Sequence, residues 1–72
     1  MTKAEKATAL NDIGLMVWNG AMDNQAAVWF VMRLYKVSMG EADDMVTEAM
    51  AEHMMRALDQ GLKKIGDEHV GH

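Results

Sequence analysis

Apolar residues in the last third of the chain recur as neighbouring pairs four apart: Ala42, Met45/Val46, Ala49/Met50, His53/Met54, Ala57/Leu58, Gly61/Leu62 and Ile65. This spacing is the ridge of one long amphipathic helix over 41–65, roughly 36 Å long at about 1.5 Å per residue. A helix turns by about 100° per residue, so a strict four-residue repeat drifts by about 40° per step. From Ala42 to Ile65 the apolar face therefore swings by roughly 140°. Its first half, Ala42 to His53, faces one way, and its second half, Ala57, Leu58, Gly61, Leu62 and Ile65, faces another. One surface can pack on the chain's own helices while the other needs a different partner.

The remaining punctuation predicts two shorter helices. Thr2-Lys3-Ala4-Glu5 has the spacing of a capping box, which opens a helix over 3–18 that Asn19-Gly20 stops in the left-handed conformation. Asp23 or Asn24 can cap a second helix over 23–37. Its segments Val28-Trp29-Phe30-Val31 and Arg33-Leu34-Tyr35-Lys36-Val37 favour strand, but a lone strand has nothing to pair with in this chain, so helix is preferred. Ser38-Met39-Gly40-Glu41 offers another capping box before the third helix. Glu41, Asp43 and Asp44 suit that helix's positive end, and Lys63, Lys64 and Gly66 suit its end at Ile65. Short connections predict antiparallel neighbours. The expected fold is thus all-α: a small three-helix domain over 1–66, with a long C-terminal amphipathic helix and a flexible tail over 67–72.

Size changes the picture. Seventy-two residues bury too little surface for a core to supply more than a few kcal/mol, and small domains add a disulfide, a metal or a second subunit. The chain has no cysteine, which excludes disulfides and thiolate metal sites. Pairing as a helical homodimer is the remaining staple, and the rotated residues Ala57, Leu58, Gly61, Leu62 and Ile65 are its expected interface. No apolar stretch reaches the roughly 18 residues of a membrane span, and the polar N-terminus does not read as a signal peptide, so a cytoplasmic protein without membrane contact is expected. The net charge of −4 makes nucleic acid an unfavourable partner.

Several residues suit partner binding. Trp29 falls within a wedge shared by Gln25, Arg33 and Lys36, and Trp18 lies towards the polar side of helix 1, away from its best apolar face of Leu10, Ile13 and Val17. A half-exposed Trp beside Arg is typical of binding hot spots, although a Trp lying flat on a small core with one wet edge is the commoner arrangement. Nine methionines give adaptable surface; Met45, Met50 and Met54 belong to the stripe and are expected in the core, whereas Met55 lies off it. Met55 lies among Ala51, Glu48 and Asp59; Glu41, Glu48, Glu52 and Asp59 form a row along helix 3, with Asp44 nearby, that serves as a solvated face, or else as a mimic of a phosphate backbone or a seat for a basic surface on a partner. His53 is the polar member of the stripe and reads as a hydrogen-bonded core or interface residue. No second convergent ligand supports a metal, and no cofactor is expected.

Catalysis finds no signature: the hydroxyls have no adjacent His–carboxylate pattern and there is no Gly-rich phosphate loop. An acyl carrier is disfavoured because Val37, not aspartate, precedes Ser38-Met39. The expected function is a small non-enzymatic interaction module, an inhibitor or adaptor that binds another protein through Trp18, Trp29, Arg33, Met55, Glu48 and Glu52. Such small proteins are commonly encoded by phages and mobile elements. The alternative is a helix-turn-helix DNA-binding regulator using helices 2 and 3, against which Glu41, Asp43 and Asp44 at the recognition helix entry would repel phosphate.

Overall fold

The computed structural model describes the backbone of residues 1–70 and the side chains of residues 1–63. It is all-helical: α1 spans Lys3–Trp18, α2 Asn24–Tyr35 and α3 Met39–Val70. The start of α1 is fixed by a reciprocal box in which Thr2 Oγ1 accepts from the Glu5 N–H and Glu5 Oε1 accepts from the Thr2 N–H, both at 3.1 Å. Its end is a Schellman turn: the Ala21 N–H donates to Met16 O at 2.8 Å and the Gly20 N–H to Val17 O at 3.1 Å. Gly20 carries the positive φ of 77° that this turn demands.

The expected boundaries of two helices are corrected. Asp23 occupies the N-cap of α2, but its carboxylate makes no cap hydrogen bond, and the helix ends at Tyr35 because Lys36 turns left-handed at φ 54°. α3 begins two residues before Glu41, with Ser38 Oγ accepting from the Glu41 N–H at 3.2 Å, and it continues through Gly66 to Val70. The expected tail over 67–72 is therefore helical as far as Val70, and residues 71–72 lie outside the described residues.

The core is built from small side chains. Ile13, Ala27, Val28, Val31, Ala42 and Val46 form it, with Leu10, Met16, Val17, Met22, Met32, Tyr35, Met45 and Met50 among the half-buried residues packed around it. Val31 and Val46 are the largest side chains wholly removed from solvent, each adding about 1.5–3 kcal/mol. Small residues let helices approach closely, and the tightest approach is Gly14 against Ala49. A Cβ placed on Gly14 would lie 2.6 Å from Ala49 Cβ and 2.8 Å from its carbonyl carbon. One turn away, His53 is buried, with Nε2 2.9 Å from Asn11 O. A carbonyl only accepts, so Nε2 bears the proton.

The buried positions of α3 are Ala42, Val46, Ala49 and His53, spaced four, three and four. Beyond His53 every described side chain is exposed. Met54, expected in the core, is among them, because α1 and α2 offer it no covering surface. At 32 residues α3 is twice the length of the 16-residue α1, and its distal half runs past the bundle, drawing the molecule out to 53 Å.

Candidate functional site

Two exposed apolar faces emerge from this architecture. On α2, burial of Ala27, Val28 and Val31 turns the opposite side outward, and by helical spacing that side carries Gln25, Ala26, Trp29, Phe30 and Arg33. Trp29 is 53% exposed and Phe30 52%. With Ala26 and Arg33 they frame a concavity of about 210 Å³ whose walls are apolar and whose rim carries the guanidinium. The other edge of Trp29 joins Val28, Met39 and Gly40 in a wider depression of about 500 Å³ that reaches the first turn of α3, where Asp43 stands.

The second face is the distal half of α3. Met55 is 64% exposed, Leu58 58% and Leu62 70%. Ala57 and Gly61 lie exposed beside them, and the Ile65 side chain falls outside the described residues. Met55 lines a shallow concavity with Ala51, Glu48, Glu52 and Arg56. Further along, Asp59 pairs with Lys63 at 3.4 Å, and Glu48 and Glu52 are the carboxylate residues that line the Met55 concavity.

The expected partner-binding residues therefore separate. Trp29 and Arg33 meet on α2; Glu48, Glu52 and Met55 meet on α3; Trp18, exposed at the end of α1, lines neither concavity. No family model matches the chain. Comparison with curated proteins and with solved structures finds no match either.

Sequence reasoning did not single out Ala26, Phe30, Met39 or Arg56 on these surfaces. Phe30 was legible in principle, since it lies four positions after Ala26 and three before Arg33 on the same helix. Met39 was not, because the predicted helix began at 41, leaving Met39 in a loop of undefined direction. The Glu41, Asp43 and Asp44 carboxylates stand exposed around the first turns of α3. Among the described residues, no group of three His, Asp or Glu is placed to hold a metal ion, and no helix is long and apolar enough to cross a membrane.

Proposed function

We propose that this chain is a small non-enzymatic interaction module, an inhibitor or adaptor that binds another protein and pairs with a second copy of itself. The observation that supports it most is the exposure of large apolar side chains on two helix faces: Trp29 and Phe30 on α2, and Met55, Leu58 and Leu62 on α3. A domain with a core of alanine and valine leaves its largest hydrophobes outside, where contiguous patches mark interaction surfaces. Trp and Arg side by side, as at Trp29 and Arg33, are the residue types that dominate binding energy at protein interfaces. The distal residues Ala57, Leu58, Gly61, Leu62 and Ile65 carry the pairing of two copies in this reading. A phage or mobile-element origin accords with its size, and a cytoplasmic location with its composition.

The test is affinity capture from the native host, repeated with Trp29→Ala. A stoichiometric host protein retained by the parent chain and lost by the variant, with helical circular dichroism unchanged, is the expected result. Retention unchanged by Trp29→Ala would remove the α2 face from the reading.

A further inference from the structure

The two exposed faces are complementary to each other. The concavity on α2 has walls of Ala26, Trp29 and Phe30 and a cation, Arg33, at its rim. Arg33 is the charged residue of α2, and Asp43 of α3 lines the wider depression that shares Trp29. The face on α3 offers the converse: a long, flexible apolar side chain, Met55, with Glu48 and Glu52 beside it. Glu52 lies three residues before Met55, so the two project from one side of α3. Arg56 lines the same concavity, so its two carboxylates stand against one cation there, and Lys63 is engaged by Asp59. Within one chain these faces do not meet: the residues lining the two concavities are disjoint.

We propose that a second copy of this chain covers them, with Met55 of one protomer seated in the Ala26–Trp29–Phe30 concavity of the other and Glu52 paired with Arg33 at its rim. The proposal rests on the self-association in the reading above and adds to its distal residues Met55 and Glu52, with Leu58 and Leu62 three and seven residues after Met55 on the same side of α3, as the part that meets α2. Three physical terms favour the contact. Methionine adapts its shape to an aromatic cleft and its sulfur is attracted to ring edges. An Arg–carboxylate pair at the margin of an apolar contact is partly shielded from water, which strengthens it over an open surface pair. Pairing α3 with α3 instead would set the acidic row of Glu48 and Glu52 near its own copy, whereas α3 on α2 brings opposite charges together. In a twofold dimer each protomer gives its α3 face and receives its partner's, so the contact occurs twice. The same dimer occupies Trp29, so self-association and capture of a foreign protein compete for it.

The experiment is sedimentation equilibrium on the full chain across about 1–500 µM, with Arg33→Glu, Glu52→Arg and the double variant, circular dichroism confirming that each is folded. Each single reversal should weaken the dimer by about tenfold or more, and the double variant should recover most of that loss, since it restores an opposite pair in swapped order. Trp29→Ala should weaken it comparably. A dimer unmoved by Arg33→Glu and Trp29→Ala but abolished by Leu62→Glu would overturn the pairing of α3 on α2 while leaving self-association standing. A parent chain that stays monomeric over the whole range overturns both, and leaves the foreign-partner reading to the capture experiment.

Discussion

Gly14 sits on the face of α1 that α3 presses hardest, and glycine there runs against helix propensity. Replacing it with alanine would gain about 1 kcal/mol in an open helix. Here the new methyl would stand 2.6 Å from Ala49 Cβ and 2.8 Å from Ala49 backbone, so two helices must separate. Overpacking of that kind costs about 1–3 kcal/mol and more when backbone has to move. We expect Gly14→Ala to be net destabilising by about 1–2 kcal/mol, read as a lower urea midpoint; a higher midpoint would mean that the α1–α3 approach relaxes freely. Glu5 is a second residue whose role is local. The Thr2 N–H donating to its carboxylate, and then the Thr2 hydroxyl, hold its pKa below the ordinary carboxylate range. A depressed carboxylate contributes stability that is full above the ordinary carboxylate pKa and is lost as pH falls through its folded value. Glu5→Gln should therefore flatten the acid limb of the stability–pH curve below about pH 5, leaving stability at pH 7 to 8 parallel to the parent's. An acid limb identical in both proteins would show that the box does not persist in solution.

At the scale of elements, the turns decide where each helix points. The α1–α2 turn uses glycine for its left-handed residue, whereas the α2–α3 turn uses Lys36 at φ 54° and ψ 50°, a conformation that costs a non-glycine residue about 1 kcal/mol. The Val37 N–H still reaches Met32 O at 3.3 Å, so the turn is made despite the strain. Lys36→Gly should raise stability by about 0.5–1 kcal/mol in chemical denaturation, less whatever the looser unfolded chain takes back. A loss would mean that the Lys36 side chain contributes more than its backbone costs. The element boundaries also show how far sequence reaches. The 3–18 span of α1 was legible to the residue because capping box and Schellman glycine are both local chemistry. The end of α3 was not: Gly66 and its preceding lysines have the composition of a stop, yet the helix runs on to Val70, since a glycine permits the left-handed turn without imposing it. The N-cap of α2 shows the same limit, since Asp23 has the right identity and still makes no side-chain bond.

For the whole molecule, the controlling quantity is the mismatch between a thin core and a long helix. Alanine and valine at Ala27, Val28, Val31, Ala42 and Val46 give close packing but modest buried area, while Leu58 and Leu62 remain in water on a segment that α1 and α2 do not reach. An isolated helical stretch of that length is marginal on its own. If pairing of copies covers it, stability must rise with protein concentration by mass action. The parent chain should then show a thermal midpoint that climbs over a hundredfold dilution series, and Leu62→Glu should abolish the climb and sediment as a monomer, with its bundle intact at Val31 and Val46. A parent midpoint independent of concentration would count against pairing.

The sequence by itself determined that this chain is helical, where its first helix begins and ends, and that the apolar stripe of its third helix turns through a large angle, because each follows from periodicity and capping within a few residues. Only the tertiary structure decided which half of that stripe is covered: Ala42, Val46, Ala49 and His53 are buried, and every described side chain from Met54 to Lys63 is exposed. The physical reason is reach. Periodicity places residues on a face, but burial requires a neighbour opposite, and whether α1 extends far enough to cover Met54 depends on the crossing of Gly14 with Ala49, a contact between positions far apart in the chain. The same holds for the candidate surfaces. Helical spacing put Trp29 beside Arg33 and Met55 among Ala51, Glu48 and Asp59, while their exposure, and the separation of the two faces within one chain, followed from how three helices packed.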